Sequence, residues 1–308
     1  MGILVIGATF VDIKGFPFDN YLPTGRNAGR VEYVHGGVAR NVVEDIANVE
    51  LRPTFLSIVD DSPMGDAVLK KLQNHKVNTD YVLTRPDGMG TWLAVFDNNG
   101  DVAGSISKRP NMYPIAELLE EKGDEIFSQI PSVVLEIGLD KEIVKGTLML
   151  AKKHNVKTFA LVANMSIAAE RRDLLQQFDC VICNQQEAGI LFLDDYQDKP
   201  PEEMRDILAE RIAAANIPSM VVTMGGEGAV YANLSGETGV CPARKVQVKD
   251  TTGAGDSFCA GVAIGMTYGK TMAEAVEIGT TLAASVIISS ENVCPRFRPE
   301  EFGLQVEN

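Results

Sequence analysis

Short apolar runs and runs with a helical period alternate along most of the chain. The apolar runs that predict buried strands are Ile3–Ile6, Pro53–Val59, Val133–Ile137, Thr158–Val162, Cys180–Cys183, Met220–Met224 and Val230–Ala232. Helical spacing predicts helices over Gly37–Val49, Met64–Asn74, Lys141–His154 and Pro201–Ala215. Because buried strands that alternate with helices form parallel sheets covered on both faces, the pattern predicts an α/β fold with a doubly wound, mostly parallel sheet.

Two segments interrupt this alternation with β-like sequence. Residues 14–35 are rich in Gly, Pro, Asn and aromatic residues and have no helical period. Farther along, Thr91–Phe96 and Val102–Ser107 flank the turn Asn98-Asn99-Gly100, which predicts a hairpin. We expect the two segments, about 10–36 and 88–110, to join into a small β-sheet lid on a single domain of residues 1–308. A lid that closes over a site would exclude water from it.

The charge and the apolar runs narrow the choice of function. The 308 residues carry a formal net charge of −14. Because nucleic-acid binding needs lysine and arginine to neutralise phosphates, a nucleic-acid partner is not expected. The N-terminus lacks the basic segment of a signal peptide, and no run approaches the roughly 18 apolar residues of a membrane span. We therefore expect a cytoplasmic protein with no membrane partner.

Cysteine usage agrees with a reducing compartment. The chain has five cysteines, an odd number for a long sequence. Cys180 and Cys183 form a C-x-x-C pair, but no second pair follows at the spacing of a zinc site. The surrounding sequence predicts a buried strand, so we expect both thiols in the core.

The most informative stretch is Asp250-Thr251-Thr252-Gly253-Ala254-Gly255-Asp256-Ser257-Phe258. It places a glycine-rich turn directly before a long apolar helix. Such a turn can aim backbone N–H groups outward, where they and the helix dipole favour an anion. An acidic residue in a first helical turn is also common for stability alone, so Asp256 in isolation could simply help to cap the helix.

The chain resembles the ribokinase-like family of carbohydrate and nucleoside kinases, also called the PfkB family. The resemblance is carried by the string DTTGAGDSFCAG from Asp250 onward and by Gly36-Gly37-Val38-Ala39-Arg40-Asn41 at a helix start. Between them lie Asn184-Gln185-Gln186-Glu187 and Thr223-Met224-Gly225-Gly226-Glu227-Gly228. All four occur in the order of the family, so the resemblance spans essentially the whole chain. It implies an enzyme that transfers a phosphoryl group from ATP to a primary hydroxyl.

For the transfer itself, the resemblance implies that Asp256 is the general base, which takes the proton of the attacking hydroxyl. The N–H groups of Gly253, Ala254 and Gly255 would form an anion hole for the transferring phosphoryl group.

For the nucleotide, the resemblance implies that Thr223, Gly225 and Gly228 approach ATP at a strand end. Asn184 and Glu187 would organise Mg²⁺ and its waters, and Asp250 would help to place a monovalent cation such as K⁺. Many relatives carry an Asp or Asn where this chain has Ala163, and Asn164 could supply the missing polar contact.

On the substrate side, the implied residues are Asp12, Gly36, Gly37, Arg40, Asn41 and Glu136. Asp12 follows the first strand and would bind sugar hydroxyls, and Glu136 ends a buried strand. The glycines would let the backbone approach the ring because they have no Cβ. Without the resemblance, Asp12, Asn41 and Glu136 would each be interpreted as a turn or cap residue. Lys108 and Arg109 lie near the second β-like segment and are predicted to be solvated surface residues.

A narrower resemblance concerns the acceptor. The string GGVARN with Arg40, the hairpin TWLAVFDNNGDV and the string SSENVCP are similar to the pseudouridine-phosphorylating branch of the family. This resemblance favours a nucleoside acceptor, with pseudouridine first. A kinase of ribose, fructose or a related sugar is the alternative, and a non-catalytic sensor of nucleosides or sugars is an alternative of another class. Relatives often pair through the lid, so the resemblance also implies a homodimer.

Overall fold

The computed structural model describes residues 2–162, 169–170 and 172–306 of the chain. Thirteen strands are assigned in these ranges. They are β1 Leu4–Ile6, β2 Phe10–Pro17, β3 Gly29–Gly36, β4 Thr54–Val59, β5 Asn78–Thr84, β6 Gly90–Phe96, β7 Val102–Lys108, β8 Ser132–Glu136, β9 Lys157–Leu161, β10 Cys180–Asn184, β11 Ser219–Thr223, β12 Ala229–Asn233 and β13 Thr238–Cys241. The α-helices are α1 Val38–Asn48, α2 Pro63–Asn74, α3 Tyr113–Phe127, α4 Lys141–His154, α5 Arg172–Leu175, α6 Gln185–Phe192, α7 Pro201–Ala215, α8 Ala254–Thr267 and α9 Met272–Ile287. Short 3₁₀ turns cover Gly225–Glu227 and Pro299–Phe302.

Nine strands form one large sheet in the order β13-β12-β11-β10-β9-β8-β1-β4-β5. The pairs from β5 through β11 are parallel, and β12 and β13 are added antiparallel at one edge. The central strands β1, β4 and β8 are buried throughout, as expected for strands covered on both faces. The α/β fold with a doubly wound, mostly parallel sheet is confirmed.

Two apolar layers cover the faces of this sheet. On one face, α3, α4 and α7 contribute buried residues such as Ile115, Ile143 and Leu208. On the other face, α1, α8 and α9 contribute residues such as Val42 and Val262. Each layer buries a continuous set of aliphatic side chains, which is the main source of folding free energy in such a domain.

A second, smaller sheet has the strand order β3-β2-β6-β7, so the two β segments predicted from the sequence do join. In its register Asp12 lies opposite Val34 and Trp92, and Trp92 lies opposite Ser107. The next row consists of Tyr33, Ile13, Leu93 and Ile106. Because successive side chains on a strand point to opposite faces, these two rows lie on opposite faces of the small sheet.

Most predicted elements agree with the observed ones to within one or two residues, but two edge strands were missed. β5 and β13 have partly exposed, polar sequences, NTDYVLT and TGVC, that lack a continuous apolar run. Cys180 and Cys183 lie buried in β10 as free thiols, as expected. Within the described ranges, no helix combines the length and the apolar character needed to cross a bilayer.

Candidate active site

Several predicted site residues stand where strands of the large sheet end. Glu136 is the last residue of β8, Asn184 of β10 and Thr223 of β11. Asn184 and Thr223 are partners across the parallel pair of β10 and β11. In open parallel sheets, ligands bind at the carboxyl ends of the strands, so the topology places these residues on the functional edge.

The turn before α8 depends on Gly253. This residue has a φ of 82°, in the left-handed region that favours glycine. A Cβ at this position would lie 2.1 Å from the carbonyl oxygen of Asn292. Ala254 donates its N–H to the carbonyl of Thr251 at 3.2 Å, and Ser257 donates to Gly253 at 2.9 Å. The glycine therefore allows a tight entry into α8 that no other residue would permit.

The first turn of α8 presents backbone donors to solvent. N–H groups at the start of a helix have no acceptor in the preceding turn, and they attract anions together with the helix dipole. Gly255 is exposed, and a Cβ there would meet no atom within 4 Å. Of the three predicted anion-hole residues, Gly253 and Gly255 fit this role, whereas Ala254 uses its N–H in the turn with Thr251.

Asp256 and Asn41 are joined across 215 residues of sequence. The Asn41 side-chain amide donates to Oδ2 of Asp256 at 2.6 Å. Asp256 is half-buried at the start of α8. Burial raises the pKa of Asp256 to about 7, although the Asn41 hydrogen bond and the charge of Arg40 oppose the increase. A carboxyl group with a pKa near neutrality can accept and return a proton at physiological pH.

A cleft of about 610 Å³ lies between the small sheet and the start of α8. Its lining includes Asp12 and Trp92 from the small sheet and Asp256 from α8. Glu136 lies in the same cleft, and its Oε2 accepts the N–H of Ala8 at 3.0 Å. A volume in this range is typical of sites for small molecules.

Two carboxyl groups of the cleft have raised pKa values. Burial raises the pKa of Glu136 above its usual range, opposed by the Ala8 hydrogen bond and the charge of Arg109. Burial also raises the pKa of Asp12, against the charges of Lys14 and Arg40. Perturbed carboxyl groups that meet in a cleft are typical of functional sites.

Close contacts within the protein require glycine at both position 36 and position 37. A Cβ on Gly36 would lie 2.4 Å from Oδ1 of Asp12. Gly37 has a φ of 97°, and its Cβ would lie 2.7 Å from the carbonyl oxygen of Ala8. Gly37 lines the cleft, whereas Gly36 makes room for the Asp12 side chain. The small size of both residues is therefore explained by protein contacts before any substrate is considered.

Arg40 departs from its predicted position at the substrate. The side chain is fully buried and does not line the cleft. Its guanidinium pairs with Glu44 at 2.6 Å and contacts the side-chain oxygen of Asn41. It also donates to the carbonyl oxygens of His35 and Gly36. The prediction of a direct substrate contact for Arg40 is not supported, because this side chain faces the protein interior behind Asn41.

Asn184 and Glu187 form a reciprocal cap at the start of α6. Asn184 accepts the N–H of Glu187 at 2.8 Å, and Glu187 accepts the N–H of Asn184 at 2.9 Å. Burial raises the pKa of Glu187 above its usual range, against the effect of this hydrogen bond. Neither residue lines the cleft of Asp256. The motif thus has a structural role that is independent of any metal.

Gly225 and Gly228, from the motif that begins at Thr223, form a turn after β11. Gly225 has a φ of 56° and Gly228 a φ of 103°. A Cβ on Gly228 would lie 2.0 Å from the carbonyl oxygen of Cys241. Thr223 ends the strand directly before this turn, as expected. These three residues lie outside the cleft of Asp256, on the neighbouring part of the same sheet edge.

Asp250 is exposed, and its Oδ1 accepts the N–H of Thr252 at 2.9 Å. In the described part of the chain, no group of three or more His, Cys, Asp or Glu residues could hold a metal ion. A metal would therefore need ligands from a bound nucleotide or from water. Ala163 and Asn164, where the sequence departs from the habit of the family, lie outside the described residues.

The structure adds cleft residues that sequence reasoning did not identify. Phe10, Trp92 and Arg109 line the cleft, and Asn292 lies against both Gly253 and the carbonyl of His35. Arg109 is exposed, as the sequence predicts for a solvated side chain, but it also lines the cleft, which its position after β7 does not reveal. The alternation of Trp92 with outward-facing neighbours in β6 was the available signal for an inward aromatic side chain.

Comparison with known proteins agrees with this architecture. The pattern of pfkB family carbohydrate kinases matches residues 2–295. The chain is 35% identical to a guanosine-inosine kinase of Exiguobacterium acetylicum, over 94% of this chain and 95% of that protein. It is 26% identical to a pseudouridine kinase of Escherichia coli K12, over 89% of this chain and 86% of that protein.

Solved structures support the fold. A ribokinase of Arabidopsis thaliana, solved with ribose and ATP, superposes with a TM-score of 0.83 at 19% identity and 97% coverage of both chains. A putative sugar kinase of Clostridium perfringens has a TM-score of 0.79 at 25% identity and covers 97% of this chain and 93% of its own. The full-length family match, the similarity to the Exiguobacterium kinase and the cleft around Asp256 together lead to one conclusion: the chain belongs to the pfkB family of ATP-dependent carbohydrate and nucleoside kinases.

Proposed function

We propose that this kinase transfers the γ-phosphoryl group of ATP to the 5′-hydroxyl of a purine nucleoside, with Asp256 as the general base. The observation that carries the proposal is the position of Asp256, at the start of α8 and in a cleft that the small sheet covers from the other side. The 35% identity to a guanosine-inosine kinase supports the purine class.

In the transfer step, the 5′-oxygen attacks the γ-phosphorus and its proton passes to Asp256. The new bond joins this oxygen to phosphorus, the bond from phosphorus to the β,γ-bridging oxygen breaks, and ADP leaves. A primary alcohol has almost no alkoxide at neutral pH, so a positioned carboxylate is needed as the bond forms. The exposed first-turn N–H groups near Gly253 and Gly255 would stabilise charge on the phosphoryl oxygens.

ATP would lie along the sheet edge next to the cleft, at the turn of Gly225 and Gly228 after Thr223. Positive φ values at both glycines support a backbone that a nucleotide can approach closely. Asn184 ends the neighbouring strand and would lie near the phosphates. This arrangement would put the phosphate chain between the strand ends and the first turn of α8.

Mg²⁺ would arrive with the nucleotide. It usually keeps several waters and binds through one or two carboxylates and substrate phosphates, which suits a chain with no metal cluster among its described residues. Glu187 is the carboxylate that would contact its water shell. When bound, the ion neutralises phosphate charge during transfer. Asp250 would hold the loop of a monovalent cation such as K⁺.

The sugar ring of the acceptor would contact Asp12, Asn41 and Glu136, which meet in the cleft. The base would lie between the aromatic side chains of Phe10 and Trp92, which offer apolar faces. A nucleoside needs such apolar contact as well as polar partners, and a free pentose needs only the latter. The aromatic lining therefore favours a nucleoside over ribose or fructose.

Arg109 would select the base. Guanine and hypoxanthine present adjacent acceptors, O6 and N7, which suit the two-pronged donor of a guanidinium. Adenine places an amino donor where these bases have O6, and a guanidinium has no acceptor to meet it. This contrast favours guanosine and inosine over adenosine. Pseudouridine as the preferred acceptor stays a competing prediction, supported by the 26% identity to a pseudouridine kinase.

The small sheet would close over the bound acceptor, and its outer face would pair with a second copy of the chain. Tyr33, Leu93 and Ile106 are 62%, 40% and 71% exposed on the face opposite Asp12. Contiguous apolar exposure of this kind is typical of interaction surfaces. Ile106→Lys should therefore convert the dimer to a monomer in light scattering. A wild-type monomer would contradict the proposed pairing and leave the kinase proposal intact.

The function is tested by coupled ADP release with guanosine, inosine, adenosine, pseudouridine, ribose and fructose as acceptors, followed by ³¹P NMR of the product. We expect the highest kcat/KM with guanosine or inosine, and a 5′-monophosphate as product. Pseudouridine or a free sugar above all purine nucleosides would overturn the purine assignment. Tight nucleoside binding without any ADP release would favour the non-catalytic sensor.

A further inference from the structure

Arg40 lies behind the candidate base and outside the cleft. It is 0% exposed and is held in the first turn of α1 by Glu44 at 2.6 Å and by the carbonyl oxygens of His35 and Gly36. Lys71 pairs with the same carboxylate, Glu44, at 2.8 Å. A buried arginine with this many fixed partners has one orientation, because a planar guanidinium donates along fixed directions.

The contact between Arg40 and Asn41 sets the direction of the next hydrogen bond. A guanidinium has only donors, so the side-chain oxygen of Asn41 must face it. The Asn41 amide nitrogen is then turned toward Asp256, where it donates to Oδ2 at 2.6 Å. If the Asn41 amide were flipped, its NH2 group would face the N–H donors of Arg40, and its oxygen would face the carboxylate oxygens of Asp256. Arg40 therefore decides which of the two amide orientations Asn41 adopts.

We propose that Arg40 is a positioning residue. Through Asn41 it fixes the orientation of the Asp256 carboxyl group, and it favours the ionised form of that group. The inference rests on the proposed role of Asp256 as the base. With Oδ2 engaged by Asn41, Oδ1 is the oxygen left to accept the proton of the substrate hydroxyl. A base held in one orientation avoids the cost of reorganisation at each turnover.

The charges around Asp256 agree with this role. Burial raises the pKa of Asp256, the Asn41 hydrogen bond and the charge of Arg40 lower it, and Glu136 and Glu187 raise it. Asp45, buried on α1, is a further acidic neighbour. Arg40 is the cation among these groups. Glu44 offsets part of its charge, but Lys71 in turn pairs with Glu44, so the three groups keep a net positive charge.

A direct test is the pKa of Asp256, measured by carboxyl ¹³C NMR in protein labelled at aspartate and assigned with Asp256→Asn. We expect Arg40→Met to raise this pKa by about one unit or more, since it removes the nearby cation and frees the Asn41 amide. Lys71→Met is the matched control, because it takes a cation from Glu44 and leaves Asn41 its partner. An unchanged pKa in Arg40→Met would overturn the proposal.

Kinetics separate positioning from a merely structural role. Arg40→Met should lower kcat about tenfold at pH 6 with little change in the KM for ATP, because one pKa unit changes the ionised fraction about tenfold well below the pKa. The triple variant Arg40→Met/Glu44→Gln/Lys71→Met also removes the pair of Glu44 and Lys71, so that neither an unpaired buried charge nor a substitute cation remains. If it restores kcat, Arg40 acts only on the fold and the proposal is wrong; we expect kcat to stay low. This variant also serves if Arg40→Met does not fold.

Arg40→Lys distinguishes charge from direction. Lysine keeps the positive charge but has a single ammonium in place of the planar fork. We expect the pKa of Asp256 to stay near that of the wild type and kcat to fall less than in Arg40→Met. In an Asn41→Ala background, measured at a pH where Asp256 is ionised in every variant, Arg40→Met should cause little further loss in kcat, because the charge of Arg40 then no longer changes the ionised fraction and its connection through Asn41 is already cut. Full additivity of the two changes would contradict action through Asn41.

Two measurements separate the role of Arg40 from the proposed kinase activity. If the wild-type protein phosphorylates no nucleoside or sugar, the proposed function is wrong. The NMR titration needs no substrate, so it still decides whether Arg40 controls the ionisation of Asp256. If the enzyme is active and the titration and kinetics are insensitive to Arg40, this inference alone is wrong.

Discussion

The hydroxyl of Ser257 donates to Oδ2 of Asp45 at 2.8 Å, and this bond ties α8 to α1. Asp45 is fully buried, and its Oδ1 accepts the N–H of Cys294 at 2.6 Å. One carboxyl group therefore joins the two helices that carry Asn41 and Asp256 to the segment that follows α9. The hydrogen bond between Asn41 and Asp256 depends on this alignment.

Burial raises the pKa of Asp45 from 3.8 to about 7. Between these values the folded protein holds a proton that the unfolded chain has released, so stability falls as pH rises from about 4 to 7. Asp45→Asn can keep both hydrogen bonds, with its oxygen toward Cys294 and its amide toward Ser257. We expect this variant to exceed the wild type in unfolding free energy at pH 8 by roughly 2–4 kcal/mol, and by much less at pH 5.

Urea unfolding of both proteins at the two pH values measures this difference. An equal difference at pH 5 and pH 8 would mean that Asp45 does not titrate in this range.

Asp256→Asn should lower kcat by about 10²–10⁴-fold, the usual loss for a general base, and leave ATP binding nearly unchanged. The amide cannot accept the proton of the hydroxyl. Asp66→Asn is the matched control, because Asp66 is an exposed aspartate in the first turn of another helix, α2. Steady-state kinetics and calorimetric ATP titration measure both variants. Wild-type turnover in Asp256→Asn at saturating substrates would exclude this residue as the base.

The pH dependence of kcat/KM should have an acid limb near pH 7. Burial raises the pKa of Asp256 to about 7, and the base acts only when it is ionised. Activity should therefore decline as pH falls through this value, about tenfold per pH unit at the acid end. A profile that is flat from pH 5.5 to 8, measured with the protein still folded by circular dichroism, would contradict a raised pKa at the base.

Much of this architecture was predictable because apolar runs and family motifs are local signals. The buried strands β1, β8 and β10 needed no partner to be recognised. Edge strands such as β5 were missed because half-exposed positions accept polar residues, and their pairing is decided by the neighbouring strand.

The interior of the site was harder to predict. Arg40 adjoins a binding motif, but whether an arginine points into a cleft or into the core is decided by distant packing. Glu44, four residues later, was the local hint of a buried ion pair on one face of α1. The contact of Gly253 with Asn292 joins positions 39 residues apart, and no local pattern reports it.

Gly253→Ala should abolish most phosphoryl transfer. The substitution places a Cβ 2.1 Å from the carbonyl oxygen of Asn292, at a φ of 82°, so the first turn of α8 must shift. Gly269→Ala is the matched control: it has a φ of 78° beyond the other end of α8, and a Cβ there meets nothing within 4 Å. It carries the strain of the left-handed region, about 1–2 kcal/mol, without a collision.

Thermal unfolding and kcat, measured together, separate the two effects. Equal losses in both variants would mean that strain alone matters and that the contact with Asn292 does not hold the anion-binding turn.

Arg109→Ala should lower kcat/KM for inosine about 10- to 100-fold, since hydrogen bonds to a charged group contribute about 1.5–3 kcal/mol. The loss for adenosine should be much smaller, because its amino group offers the guanidinium no acceptor at that position. The preference for inosine over adenosine should therefore shrink. Lys108→Ala is the control in the adjacent position: its exposed amine pairs with Asp87 at 2.6 Å and it is not part of the cleft. If Arg109→Ala lowers kcat/KM equally for inosine and adenosine, or if Lys108→Ala has the same effect, Arg109 attracts substrates by charge alone and does not recognise the base.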